Sequence, residues 1–389
     1  MWPNSCWVRG SVAGSRSPLR LRSEHRALLV CLFLTALTAQ GQPAWRSVYV
    51  HDEDQSSLSF SAVAFAPPGC VIATGVMVTK GRQKPIALVS SDSGEHFTTV
   101  PLKEFPRTVQ ALDATHAWLA TEGAVWSSND CGMTWTRLAK NGDLFRVHFL
   151  DAQRGFATGL NKTVLRTADG GKKWEKLAVA AEPAGSPERS AYTAIAFAGS
   201  YGLISGFHEP RRPDESPIPD WMDPSSAKRR RQWPSLTLLL QTLDGGQAWK
   251  ASSSSILGKI GQVRLGPQGN GLVLIGFDRA FEVPSEVYRF DYTTGKTTRL
   301  FRDKTRAITD VALLPGGQSI LAGFEPPGSL YQLPIPGRVH ILESVDGGNW
   351  REMKVDYRAV GRHVSLAYGA EGPVFAVTDT GMILRLDRP

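Results

Sequence analysis

Isolated basic residues recur along the chain, each at or just before a short apolar segment. They are Arg107, Arg146, Arg189, Lys259, Arg306 and Arg362. Guanidinium and ammonium groups gathered at one mouth of a fold attract carboxylates, phosphates or acidic peptides. The alternative is that these residues are separate, solvated charges at strand ends. The sequence therefore offers a candidate anion-binding surface, which depends on the fold bringing these residues together.

A second candidate surface lies in a long polar insertion at about 208–234. Trp221 and Trp233 stand there among Pro, Ser and charged residues, beside the basic run 228–231. Long loops on a rigid scaffold often carry function, and the two aromatic residues would be anchors for a partner. The same composition, without periodicity, is also typical of a disordered insertion, so both interpretations stay open.

Five segments share the pattern Ser/Thr-x-Asp-x-Gly-x-x-Trp/Phe, known as the Asp-box, in which the last copy is one residue shorter. Their acidic and Trp residues are Asp92, Asp130, Asp169, Asp244, Asp346, Trp135, Trp174, Trp249 and Trp350. Such an Asp accepts hydrogen bonds from the backbone of its own turn, and Gly supplies a positive φ. The ring is then buried between sheets. We predict structural turns here, with no catalytic residue, metal or cofactor.

The segments around each Asp-box predict short strands. Residues 146–150, 155–159 and 163–167 read as three strands, and Trp174 opens a fourth. Four antiparallel strands at a period of roughly 40 residues are typical of a β-propeller blade. The sequence therefore predicts an all-β fold, a single seven-bladed β-propeller over residues 42–389. Six or eight blades are the alternative counts.

The two ends of the predicted ring complement each other. The last blade, from about Val364 onward, has only three strands, and blade five has a degenerate turn at 291–295. The segment 45–50 is similar to 350–355, which follows the last Asp-box. We therefore predict that the N-terminal strand completes blade seven, closes the ring and leaves no long open edge.

Two segments carry a resemblance to a known family. They are FLDAQRGFATG at 149–159 and LRTADGGKKW at 165–174. On these motifs the chain after residue 41 resembles the BNR-repeat family of photosystem II assembly and stability factors. The resemblance implies a seven-bladed propeller that acts as a non-catalytic scaffold and binds a protein or glycan partner on its loop face.

Sialidases and other glycosidases also contain Asp-boxes, so a glycoside hydrolase is the alternative function. A sialidase requires three converging Arg, a Tyr–Glu nucleophile pair and an Asp that acts as the general acid and base. It usually also has a Phe/Tyr-Arg-Ile-Pro segment early in the chain. The segment Pro334-Ile335-Pro336 lacks that Arg and lies late in the chain. A two-carboxylate glycosidase could draw on loop carboxylates. The candidates are Asp54, Glu104, Asp143 and Glu188.

The first 41 residues have the features of a secretory signal peptide. Several Arg precede an apolar run at 27–39, and small residues follow at Ala39 and Gly41. That run is short for a bilayer span, which needs about 20 residues; an uncleaved anchor is the alternative. We expect a secreted or periplasmic protein whose mature chain has no transmembrane span.

Charge and cysteine content limit the remaining function classes. Residues 1–41 hold five Arg and one Glu, so they supply +4 of the formal net charge of +8. The mature chain is only mildly basic, and we expect a monomer that does not bind nucleic acid. Cys70 and Cys131 remain after the signal, where an exported compartment permits a disulfide without requiring one.

Overall fold

The computed structural model describes residues 44–140, 142–209, 222–223, 225, 234–277, 283–326 and 335–388. The chain divides into two compact units, Met1–Gln42 and Pro43–Pro389, and all described residues lie in the second. The predicted signal peptide, Trp221, Trp233 and most of the predicted insertion at 208–234 lie outside the described residues. Within the described ranges, no helix has the length and apolar character needed to cross a membrane.

Within the described residues, twenty-nine strands form seven antiparallel sheets, each of which is one blade. The described fold begins with β1 (Arg46–Val50). Blade one contains β2 (Ser56–Ala66), β3 (Cys70–Thr79), β4 (Arg82–Ser90) and β5 (Thr98–Pro101). Blade two contains β6 (Pro106–Ala111), β7 (Ala117–Thr121), β8 (Ala124–Ser128) and β9 (Thr136–Lys140). Blade three contains β10 (Leu144–Phe149), β11 (Gly155–Gly159), β12 (Val164–Thr167) and β13 (Glu175–Lys176).

The other four blades complete the ring. Blade four contains β14 (Ser190–Ala198), β15 (Tyr201–His208), β16 (Ser235–Thr242) and β17 (Lys250–Ile256). Blade five contains β18 (Lys259–Leu265), β19 (Asn270–Gly276), β20 (Ser285–Asp291) and β21 (Thr297–Arg302). Blade six contains β22 (Ala307–Leu313), β23 (Ser319–Glu325), β24 (Gly337–Ser344), β25 (Arg351–Glu352) and the additional β26 (Val360–Gly361). Blade seven contains β27 (Val364–Tyr368), β28 (Val374–Thr378) and β29 (Met382–Leu386), to which β1 adds.

The N-terminal strand closes the ring, as the sequence predicts. β1 pairs antiparallel with β29, so the order in blade seven is β1-β29-β28-β27. Trp45, just before β1, is buried, and its indole N–H donates to the sulfur of Met353 in the neighbouring blade. The predicted all-β, seven-bladed propeller with four-stranded blades is therefore confirmed.

The core consists of apolar layers between neighbouring blades. Each strand alternates its side chains between the two faces of its sheet, so a blade buries apolar residues against both neighbours. Among the described residues there are seven buried clusters, one at each blade interface. This arrangement fixes the innermost strands of the blades around a central channel.

The five predicted turns share one hydrogen-bond geometry. In blade three, the Thr167 hydroxyl donates to Asp169 Oδ1 at 2.9 Å and accepts from the Gly171 N–H at 3.0 Å. The backbone N–H of Lys173 donates to the same carboxylate at 2.9 Å. Gly171 has φ +94°, a conformation that a residue with a β-carbon rarely adopts. Each carboxylate is thus occupied within its own turn.

These turns make the fold sensitive to acid. Backbone N–H donors in the same turn lower the pKa of the carboxyls below their usual value; the four clearest cases are Asp92, Asp169, Asp244 and Asp346. A lowered folded-state pKa stabilises the fold above the unfolded-state pKa of about 3.9, and this contribution is lost as the pH falls below it. We expect the melting temperature to be level at pH 5–7 and to fall below about pH 4. Replacing the four Asp by Asn should reduce that fall; an unchanged acid profile would contradict this explanation.

A disulfide joins Cys70 and Cys131. Cys70 begins β3 in blade one, and Cys131 lies in the Asp-box turn of blade two, so the bond links neighbouring blades. Both residues are buried, at 1% and 6% exposure. The sequence left this bond open, because pairing of two cysteines 61 residues apart depends on how the blades meet.

Candidate functional site

The innermost strands share a backbone irregularity that shapes the channel. Six of the seven have a shift in pairing register near their start, at Ser61, Arg107, Phe145, Thr193, Gly261 and Thr309. A β-bulge of this kind changes the direction in which the following side chains point. In blade three the next residue is Arg146, and in blade six it is Asp310.

These strands enclose a cavity of about 590 Å³. Its charged and titratable lining residues are Arg107, Arg146, His148, Arg264, Asp310, His363 and Tyr368. Gln110 fixes one blade to the next, because its side chain donates to the Phe149 carbonyl at 3.0 Å and accepts from the Phe149 N–H at 2.6 Å. The channel is therefore a polar cavity with a rigid wall.

Arg264 and Asp310 form a buried ion pair on this wall. Arg264 Nη2 lies 3.0 Å from Asp310 Oδ1, and its Nε donates to the Val311 carbonyl at 3.1 Å. Asp310 is 2% exposed and also accepts the backbone N–H groups of Val311 and Leu366, at 2.8 and 2.9 Å. Burial lowers the pKa of Arg264, but Asp310 outweighs it and leaves that pKa raised. The pair connects blades five, six and seven.

Arg146 is the second strong cation in the cavity. Its Nε donates to the carbonyl of Thr193 in blade four at 2.6 Å. No carboxylate pairs with it within the described part of the chain. Burial, and then the positive charge of Arg264, lower the pKa of Arg146 to about 10, so it stays charged at neutral pH. Together with the Arg264–Asp310 pair, it gives these three residues a net positive charge.

His148 and Tyr368 add no charge to the cavity at neutral pH. Burial and the nearby Arg264 lower the pKa of His148 to about 4, so this imidazole is neutral at physiological pH. Its ring stacks on Phe197 with centroids 5.5 Å apart. Burial raises the pKa of Tyr368, whose hydroxyl accepts the Leu313 N–H at 3.3 Å. The anion-attracting character of the cavity therefore comes from its arginines.

The six basic residues singled out in the sequence have different surroundings. Only Arg107 and Arg146 line the cavity, and Arg107 pairs with the exposed Glu122 at 3.0 Å. Lys259 pairs with Glu209 and lies over the Phe207 ring, while Arg306 pairs with Glu352 at 3.2 Å.

The last two of the six lie just before innermost strands. Arg189 Nε donates to the Glu209 carbonyl at 2.7 Å, and Arg362 is an exposed residue whose backbone N–H donates to Asp379. Of the six, the structure therefore places Arg107 and Arg146 in the cavity lining and pairs the other four with groups outside that lining.

Sequence reasoning missed Arg264 and Asp310. Each is a charged residue inside a largely apolar strand, Arg264 in VRL at 263–265 and Asp310 in TDV at 309–311. That pattern was the sequence signal that could have identified them. Their placement depends on the register shift in each strand, which local composition does not indicate.

The cavity offers little for glycoside hydrolysis. Among its described lining residues Asp310 is the only carboxylate, and it is held by Arg264 and two backbone N–H groups. A Tyr–Glu pair does exist, with the Tyr288 hydroxyl 2.6 Å from Glu286 Oε2, but it lies in blade five and does not line this cavity. Two free carboxylates flanking a sugar bond are not present here.

Comparison with solved structures finds propellers over nearly the whole chain. YCF48 bound to a D1 peptide is similar at TM-score 0.58 and 14% identity, covering 90% of this chain and 97% of that one. YCF48 from Cyanidioschyzon merolae is similar at TM-score 0.54 and 15% identity, covering 88% and 98%. The likeness is one of fold.

More distant proteins share the same architecture. The β-propeller domain of the Trilobed protease from Pyrococcus furiosus is similar at TM-score 0.53 and 9% identity, covering 86% of this chain and 96% of that one. The sequence itself matches no family model and no curated protein. The fold is thus shared by proteins of different activity, and function has to be argued from the site.

Proposed function

We propose that the protein is an exported, non-catalytic propeller that holds an acidic segment of a protein partner in its central channel. One observation carries the proposal: Arg146 keeps its charge inside the cavity with no carboxylate partner among the described residues. Arg146 is partly buried, and Asp310 attracts its charge without pairing with it, so an arriving carboxylate would add to that compensation. The planar guanidinium favours two-pronged binding of that group.

The shape of the site fits this role. A cavity of about 590 Å³ is within the range of small-ligand pockets, and it has room for a side chain or a short peptide segment. Its wall is held by hydrogen bonds between side chains of one blade and the backbone of the next, so little ordering cost accompanies binding. The YCF48 structure with a D1 peptide supports a peptide as the kind of partner that this fold accepts.

Export is part of the proposal. The Cys70–Cys131 disulfide supports an oxidising compartment, because cytosolic reductants keep most thiols reduced. The apolar run at 27–39 after several Arg supports a signal peptide, which would direct the chain to the periplasm or outside the cell.

Peptide binding measured by fluorescence anisotropy tests this function. Three short fluorescein-labelled peptides of equal length would differ only in charge, one rich in Asp and Glu, one neutral and one rich in Lys. We expect saturable binding of the acidic peptide alone, weakening as NaCl is raised. Equal binding of all three peptides, or of none, would contradict the proposal. Hydrolysis of a chromogenic glycoside panel, abolished by Asp310→Asn, would instead favour the hydrolase alternative.

A further inference from the structure

An aromatic residue precedes the outermost strand in six of the seven blades. These residues are Trp45, Phe97, Trp135, Trp174, Trp249 and Trp350, before β1, β5, β9, β13, β17 and β25. In blade five the corresponding residue before β21 is Lys296, which lies five positions after Asp291 as Trp249 does after Asp244. Lys296 is exposed. Blade five therefore lacks the ring that every other blade supplies.

The rings fill the space between their own blade and the preceding one. Trp249 of blade four lies edge-on to Phe156 of blade three at 5.5 Å, and its N–H donates to the Gly246 carbonyl at 3.0 Å. Trp350 of blade six packs edge-on to Phe301 of blade five at 6.3 Å. Such contacts seal the outer half of each interface.

The interface between blades four and five is filled less completely. Tyr292 of the degenerate turn stacks on Tyr201 with centroids 4.1 Å apart and donates to the Gly266 carbonyl at 2.7 Å. The buried cluster at this interface has five residues among those described, fewer than at any other blade interface. Beside it lies a cavity of about 640 Å³. Thr297, the residue after Lys296, lines this cavity, so the missing ring and the cavity lie at the same interface.

The walls of this cavity are apolar and partly aromatic. Leu239 of blade four and Val273 and Phe290 of blade five face it and are only half-buried, so the described residues cover their apolar surface incompletely. One polar corner is formed by the Tyr288 hydroxyl, which donates to Glu286 Oε2 at 2.6 Å. Glu286 is 6% exposed, and its other oxygen lies 3.4 Å from Arg302 Nε and 3.6 Å from Arg299 Nη1. The carboxylate of this corner is therefore already paired.

We propose that this interblade cavity is a binding site for a neutral aromatic small molecule of one or two rings. The ligand would occupy the space that a Trp or Phe ring fills at the other six interfaces. Apolar and aromatic walls favour such a ring, and edge and stacking contacts contribute beyond area burial alone. The Glu286 carboxylate is already paired with Arg299 and Arg302, so the corner offers no free acidic group to attract a cation. This site is separate from the central channel and does not depend on the function proposed for it.

Fluorescence of N-phenyl-1-naphthylamine, which rises in apolar surroundings, tests the site on the whole protein. We expect saturable binding of one molecule, unaffected by Arg146→Gln in the channel. Ser252→Trp places an indole in the cavity from the exposed strand β17 and should weaken binding at least about tenfold, equivalent to about 1.4 kcal/mol. Ser253→Trp, the next residue on the same strand, does not line the cavity and should bind as the wild type does.

Displacement of the probe by competing small molecules tests whether the site prefers aromatic ligands. Indole should displace the probe at lower concentration than cyclohexanol, because only indole offers a flat ring to the aromatic walls. Lys296→Trp restores the missing ring and should both raise the melting temperature and remove probe binding. No saturable binding by the wild type, or equal binding by Ser252→Trp and Ser253→Trp, would overturn the proposal. Equal displacement by the two competitors would overturn the aromatic class.

Discussion

Replacing Asp310 by Ala is expected to lower the free energy of unfolding by about 3–5 kcal/mol, the usual cost of removing one partner of a buried ion pair. The substitution leaves the Arg264 guanidinium without its counterion on the channel wall. It also leaves the N–H groups of Val311 and Leu366 without their acceptor, in two different blades. Urea unfolding, followed by intrinsic tryptophan fluorescence, measures this loss.

A matched control variant shows whether the loss of stability comes from the burial of the ion pair or from the removal of a carboxylate alone. Glu122→Ala also removes one carboxylate from an Arg pair, but Glu122 and Arg107 are each about half exposed, with side-chain exposures of 52% and 47%. Exposed ion pairs contribute about 0–1 kcal/mol, so this variant should unfold almost as the wild type does. An Asp310→Ala protein as stable as Glu122→Ala would show that the Arg264–Asp310 pair does not hold the blades together.

Replacing Arg146 by Gln is expected to weaken binding of an acidic peptide by about tenfold to a hundredfold, or about 1.4–2.7 kcal/mol. The change removes the one cavity cation that has no carboxylate partner in the described structure, while Gln keeps a polar side chain of similar reach. It should also reduce the dependence of affinity on salt. Anisotropy titrations at two NaCl concentrations measure both effects.

Stability and a second arginine serve as controls for this result. Arg146→Gln should change the melting temperature little, because loss of the hydrogen bond to the Thr193 carbonyl is offset by removal of a partly buried charge. Arg362→Gln removes an exposed charge that does not line the cavity and should change affinity by less than about twofold, consistent with screening of exposed charges. Equal losses in the two variants would indicate general attraction by a basic surface.

Much of the fold was predictable because its signals are local. An Asp followed five residues later by Trp marks the turn before an outermost strand, as at Asp169 and Trp174. The segment 45–50 is similar to 350–355, which follows the last Asp-box, so closure by β1 could also be predicted. These patterns depend on the chemistry of turns only a few residues long, so they can be recognised directly in the sequence.

The site was harder to predict because it depends on pairing between distant segments. Arg146 was found from its position near a strand start, whereas Arg264 sits mid-strand and turns into the channel only through the register shift of β18. Lys259 and Arg306 were grouped with Arg146, yet each pairs with a carboxylate that is 46 or more residues away. Side-chain pairing of this kind follows from the assembled ring.

The interblade cavity was hard to predict from the sequence for a similar reason. The degenerate turn of blade five was visible in the sequence, but its consequence depends on what lies opposite Lys296 in blade four. Tyr292 fills part of that space by stacking on Tyr201, which sequence reasoning did not anticipate. A missing ring predicts a cavity only when the neighbouring blade does not supply a replacement.

A crystal structure of the protein with the acidic peptide is the most direct test of the channel as the binding site. We predict a peptide carboxylate inside the cavity, within hydrogen-bonding distance of the Arg146 guanidinium and with the Arg264–Asp310 pair intact. A peptide bound along the outside of the ring, with the channel holding only water, would contradict it.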